Sequence, residues 1–166
     1  MIIVSDTSVL SGLAIVGQLN LLQQLYGQVL IPPAVVDELR RGGEDDQRIT
    51  SVLVLEWIEV CQPSDRLLIE ILQNEHNLDR GESEAISLAL ELKVEELLID
   101  EPMGRREAVR LGLSIIGLLG ILLLAKNRGL VIAVRPIMDN LIADANFWVS
   151  DRLYTSVLRA AAEDTE

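Results

Sequence analysis

MIIVSDTSVLSGLA (residues 1–14) opens the chain. Its first five residues, MIIVS, form a β-branched run that reads as a buried strand. Asp6 ends the run, and Thr7 and Ser8 follow. An acid and two hydroxyls at a strand tip admit two readings. One is an N-cap on the next helix, with Thr7 or Ser8 as alternative caps. The other is half of a metal site. VLSGLAIVGQLNLLQQLY (9–26) repeats its apolar residues at helical spacing, with two tolerated glycines, and predicts one helix.

The same grammar recurs along the chain. QVLIP (28–32) predicts a second strand, and Pro32 and Pro33 lead into the helix AVVDELRRG (34–42). VLEWIEV (54–60) reads as a strand or an extended connection. SDRLLIEILQNEH (64–76) is amphipathic, with Ser64 or Asp65 as N-cap. RGESEAISLALELKV (80–94) predicts a strong helix. ELLID (96–100) is a strand closed, like the first, by an aspartate. GRREAVRLG (104–112) is helical, LSIIG (113–117) a strand, and LLGILLLAKNRG (118–129) a helix. Two more helices are expected near 136–145 and 150–163. Short apolar strands alternating with helices predict an α/β fold with a parallel sheet covered on both faces. In such sheets, sites collect beyond the carboxyl ends of the strands, where Asp6 and Asp100 both fall.

Composition sets the outer limits. The chain has 166 residues, 49% of them hydrophobic and 3% aromatic, so the core must be built from aliphatic side chains. No linker or repeat divides it, which predicts a single domain over 1–166. One cysteine, Cys61, excludes an internal disulfide and a cysteine zinc site and fits a reducing cytoplasm. No signal-peptide pattern opens the chain. LSIIGLLGILLLA (113–125) is shorter than the roughly 20 residues of a membrane span. It reads as core or as a dimer face, with no membrane association. The net charge of −12 counts against tight DNA binding and suits a basic protein partner.

Helical geometry sorts the remaining acids. With Glu82 at zero on a helical wheel, Ala85, Ile86, Ala89 and Leu92 fall within about 80° of it. Glu82 is then central on the apolar face. Glu84 falls at about 200°, beside Glu91, on the face expected to be wet. A carboxylate on a buried face is costly unless paired or bound to a metal. Glu38 sits at the edge of the face made by Ala34, Val35 and Leu39, with Asp37 toward water. The candidate set is Asp6, Glu38, Glu82 and Asp100. All-oxygen donors suit Mg²⁺ or Mn²⁺ rather than zinc, and His76 is the only histidine. Four carboxylates around one or two ions suit phosphodiester hydrolysis, in which metals roughly 3.5–4 Å apart activate a water and steady the leaving oxygen. Thr7 and Ser8 would then support a ligand or a water.

Four stretches in this order resemble the PIN-domain family, and within it the VapC-like toxin branch. They are IIVSDTSVL (2–10), LIPPAVVDELRRG (30–42), LDRGESEAISLALEL (78–92) and IDEPMGRREAVRLGLSIIGLLGILLLAKNRGLV (99–131). The tail RPIMDNLIADANFWVSDRLYTSVLRAAAED (135–164) is similar to that branch too. The resemblance implies a three-layer α/β/α fold with a central parallel sheet. It implies a Mg²⁺- or Mn²⁺-dependent endoribonuclease with an RNA substrate, an antitoxin partner, a homodimer and a cytoplasmic location. The helices over about 136–163 would pack on the domain or on the dimer partner. The family's acids fall on Asp6, Glu38, Glu82 and Asp100, its strand-end hydroxyl on Ser8, and its arginine on Arg105, with Glu101 beside Asp100. Arg105 would salt-bridge an acid or hold a phosphate.

The chain departs from the pattern in three places. Glu82 is longer than the usual Asp, Leu118 stands where the branch often has a hydroxyl, and the charge is strongly acidic. These bear on catalytic competence more than on fold. The alternative is therefore a catalytically weak or inactive nucleic-acid-binding or regulatory module. A haloacid-dehalogenase-like phosphatase also starts from a strand-end aspartate, but it needs a second acid where this chain has Ser8. No phosphate-loop or dinucleotide motif is present.

Single residues also have plainer readings. Glu82 suits the dipole of its helix. Asp100 suits a cap on the helix after Pro102. Arg105 and Arg106, with Arg110 one turn on, read either as a phosphate-facing patch or as ion-pair partners of Glu101 and Glu107. His76 and Cys61 read as bystanders.

Overall fold

The computed structural model describes residues 1–164, so the last two residues of the expected 1–166 domain lie outside the described residues. Among these are five strands: β1 (Ile3–Ser5), β2 (Val29–Ile31), β3 (Ile58–Val60), β4 (Glu96–Leu98) and β5 (Ile115–Ile116). All pairings are parallel, and the sheet order is β3-β2-β1-β4-β5. Parallel strands need crossovers, and the helices that supply them cover both faces. One face is packed by α1 (Thr7–Ile15), α2 (Asn20–Tyr26), α8 (Leu118–Asn127), α9 (Arg135–Asp144) and α10 (Asp151–Ala160). The other is packed by α5 (Arg66–Glu75), α6 (Arg80–Leu92) and α7 (Pro102–Arg110). Helices α3 (Pro33–Gly42) and α4 (Gln47–Thr50) join the first of these clusters through Val35, Val36, Leu39 and Ile49.

The β-branched runs are strands because both faces are buried. Ile3 packs into the first cluster and Val4 into the second, as alternation across a strand requires. The three-layer α/β/α arrangement is thus present. The order of strands reverses direction at β1, so the crevice between the carboxyl ends of β1 and β4 is the topological switch point. The Asp6 amide extends this pairing with a 2.9 Å bond to the Leu98 carbonyl.

Several expected elements differ. The helix over 9–26 is two helices, because Gly17 takes φ 71° and turns the chain between them. Both halves still face one core, which is why the apolar spacing runs on unbroken. The extended stretch over 54–60 shrinks to β3, since Ser51–Val54 winds into a 3-10 turn. The short α4 has too few residues to carry a period. LLGILLLA is core: Leu118, Ile121, Leu122 and Ala125 are buried beneath α1, α9 and α10. No described helix is long and apolar enough to cross a membrane.

Candidate metal centre

Asp6 lies at the switch point and is 2% exposed. It does cap α1: Oδ1 accepts the Val9 amide at 3.0 Å. Its other oxygen, Oδ2, accepts the Asp100 amide at 3.3 Å, so the same carboxyl bridges the ends of β1 and β4. Capping and site formation are one arrangement here. Burial pushes the Asp6 carboxyl up to about 7, against the downward pull of those two amides, and the Asp100 and Asp79 charges push the same way.

Asp100 is half-buried, and its role as a cap needs correction. The helix after Pro102 has Glu101 at its N-cap and no side-chain bond there. The Oδ1 of Asp100 instead accepts the Leu118 amide at 3.2 Å, holding the start of α8. Burial raises the Asp100 carboxyl, with Glu101 adding to the rise, and the Leu118 amide and the Arg105 guanidinium oppose it. Among the described residues, Arg105 makes no salt bridge within 4.0 Å. It donates to the Ile99 carbonyl at 2.9 Å, which fixes its guanidinium near Asp100 and leaves its other N–H groups available.

The two α6 glutamates do not divide as the wheel predicts. Glu84 is buried, 3% exposed, and Glu82 is half-buried. A single apolar face does not describe α6, because α3, α5, α7 and the sheet enclose it on several sides. Glu84 is satisfied there: Oε1 accepts the Ala34 amide at 2.9 Å, and Oε2 pairs with Arg80 at 3.1 Å. Arg80 continues to Asp37 at 3.0 Å, tying α6 to the start of α3. Among the described residues, no amide or cation bonds the Glu82 carboxyl in this way. Burial, then the Asp79 carboxyl, and then the Glu101 and Asp6 charges push Glu82 up to about 8. Asp79 is the site acid that sequence reasoning omits. It caps α6 through the Glu82 amide at 2.8 Å, and its charge reaches both Asp6 and Glu82. The signal was present as an Asp three residues before Glu82, a capping spacing.

Glu38 lines the same cavity as Asp100 and is held there by two contacts of its own. Its Oε1 accepts the Thr7 hydroxyl, and its Oε2 accepts the Gly81 amide at 3.1 Å. A Cβ on residue 81 would sit 2.6 Å from that Oε2, so glycine is what lets the carboxylate approach α6. Gly81→Ala is expected to lower the melting temperature. The charged hydrogen bond is worth roughly 1.5–3 kcal/mol, more than the roughly 1 kcal/mol of helix propensity that alanine adds. Thermal melts of Gly81→Ala, Glu38→Ala and the double variant measure the coupling. An alanine variant more stable than the parent protein rejects the contact.

Thr7, Ser8, Glu38, Asp100, Glu101 and Arg105 all line one open cavity of about 1420 Å³, while Asp6, the neighbour of Thr7 in the chain, is buried. Ser8 is exposed and Thr7 is engaged with Glu38. Elsewhere, His76 proves to be paired: its Nδ1 lies 3.2 Å from Glu107, which also binds Arg110 at 2.7 Å.

Among the described residues, no three His, Cys, Asp or Glu side chains are gathered closely enough to grip one ion. In kind, however, Asp6, Glu82 and Asp100 fit a hard divalent cation. They are oxygen donors, their carboxyls are raised chiefly by burial and further by neighbouring acids, and Arg105 is the one cation that opposes the rise, beside the Val9, Asp100 and Leu118 amides. A family model described as a PIN domain matches residues 2–163. No curated protein sequence matches the chain.

Proposed function

The chain belongs to the PIN-domain family, and on that footing we propose that it is a Mg²⁺- or Mn²⁺-dependent endoribonuclease, the toxin of a toxin–antitoxin pair. PIN domains are generally metal-dependent nucleases. The observation that carries the reading is the pair of strand-end carboxyls, Asp6 and Asp100, joined at the switch point, with Asp100 on the wall of an open cavity. Asp6, Asp100 and Glu82 are the residues that would hold the cation. When bound, a divalent ion supplies Lewis acidity toward water and phosphate oxygens.

The protein's own groups do the rest. The amides of Val9, Asp100 and Leu118 aim the two aspartates and remove their freedom to rotate. Arg105, anchored on the Ile99 carbonyl, presents a guanidinium to a phosphate at the cavity wall. Ser8 offers an exposed hydroxyl beside it. Near neutral pH, Glu82 and Asp6 are poised to retain or release protons, so cation binding and proton release are coupled. The surface of an acidic chain suits a basic antitoxin segment.

The engagement of Glu38 by Thr7 and Gly81 favours a second reading, a weakly active or inactive nucleic-acid-binding module. Incubation with single-stranded RNA in millimolar Mn²⁺, with and without EDTA, separates the two. Cleavage in Mn²⁺, its loss in EDTA and its recovery on adding back metal are expected. RNA left intact in Mn²⁺ supports the second reading.

A further inference from the structure

Aromatic side chains are scarce in this chain: two tryptophans, two tyrosines and one phenylalanine. Two of them, Phe147 and Trp148, line the same cavity as Asp100 and Arg105. Their setting is rigid. Helix α9 ends at Ala145, Asn146 takes φ 53°, and the Phe147 amide returns to the Leu141 carbonyl at 3.1 Å, which closes the helix end. Ser150 then caps α10 through the Leu153 amide at 3.1 Å. Between these two fixed ends, Phe147 packs against the core and Trp148 is 82% exposed. An indole held open on a short, pinned connector has lost little by folding and has its ring faces available.

Part of the cavity wall carries charge of the sign a phosphate needs, although Glu38, Asp100 and Glu101 line the cavity too. Arg105 and Arg106 both line it, and neither enters an ion pair among the described residues. Guanidinium groups beside an exposed aromatic ring are the combination that grips single-stranded nucleic acid, phosphate on one and base on the other. We propose that Trp148, backed by Phe147, is a base-stacking platform that holds an unpaired nucleobase of single-stranded RNA whose backbone runs past Arg105 and Arg106 toward Asp100. The inference rests on the ribonuclease reading and names the form of RNA it takes.

The test is the affinity for a short 2′-O-methyl oligoribonucleotide, which resists cleavage, and for the same oligomer with abasic positions. Trp148→Ala is expected to weaken binding of the base-bearing oligomer about 10- to 100-fold, and Trp148→Phe to restore it to within about threefold. The abasic oligomer is expected to bind the parent protein and Trp148→Ala alike, which a merely structural effect of the substitution would not produce. Sedimentation velocity on the same proteins reports self-association. The platform is overturned if Trp148→Ala binds the base-bearing oligomer as the parent does, while the parent still cleaves RNA in Mn²⁺. It is equally overturned if the substitution alters self-association and leaves RNA binding unchanged, which would make Trp148 a contact between copies. A parent protein that neither binds nor cleaves RNA removes the ribonuclease reading itself.

Discussion

Asp6→Asn and Asp100→Asn are each expected to reduce metal-dependent RNA cleavage by more than about 100-fold, beyond the 10- to 100-fold seen when groups behind a metal ligand are removed. Both variants are expected to fold. In Asp6→Asn the amide oxygen can still accept the Val9 amide and cap α1, and only the second acceptor, toward Asp100, is lost. In Asp100→Asn the amide oxygen can still hold the Leu118 amide. What disappears in each is a negative charge at the switch point. Glu38→Gln is expected to cost much less activity, because the Glu38 carboxylate is occupied by Thr7 and Gly81. Circular dichroism and a fluorogenic RNA assay decide the matter together. Cleavage that survives both aspartate changes rejects the site, and a Glu38→Gln loss as deep as theirs means that Glu38 leaves Thr7 to join them.

The legible parts of this molecule are those set by local chemistry. MIIVS and ELLID announce strands because both sheet faces are covered, so the middle of each run is apolar without alternation. Their terminal acids were visible because a carboxylate stands out at the end of an apolar run, whereas the burial of Asp6 itself was not. What the sequence withheld depends on partners far along the chain. Glu84 looks wet on a wheel and is buried because the Ala34 amide, fifty residues away, needs an acceptor. Asp100 looks like a cap for the helix beginning at Pro102, but its bond goes to Leu118, eighteen residues on. A periodic pattern also cannot register a turn between two helices that face one core, as at Gly17. Glu38 shows the limit most sharply. Its place on the helix edge was readable, whereas its attachment to α6 required knowing that residue 81 has no side chain in the way.

Without metal, the protein is expected to lose stability as pH rises from 5 to 8. Asp6 titrates near 7 in the fold against an ordinary value of 3.8, and Glu82 near 8 against 4.5. Asp100 is raised as well. Across this interval the unfolded chain has released protons that the folded chain still holds, so stability falls with pH. For Asp6 alone the loss between pH 5 and 8 is on the order of 2–3 kcal/mol. The acids lowered by partners, such as Glu163 on the Val134 and Arg135 amides, act in the opposite sense but at pH below their ordinary values, outside this window. A divalent cation bound at Asp6, Glu82 and Asp100 stabilises their ionised forms, so Mn²⁺ should reverse the loss at pH 8 and do little at pH 5. At a concentration 100 times its dissociation constant it adds about 2.7 kcal/mol. For a chain of this size that is a rise in melting temperature of roughly 5–10 °C. General repulsion in so acidic a protein also favours low pH, and Asp6→Asn separates the two causes. With the buried carboxyl gone, the slope between pH 5 and 8 should flatten and the Mn²⁺ response should shrink, while surface repulsion is almost unchanged. Melting curves in EDTA that are level across this range for the parent protein, or equally steep for Asp6→Asn, would show that the charges at the switch point carry no such cost, and with it would go the physical reason for placing a cation there.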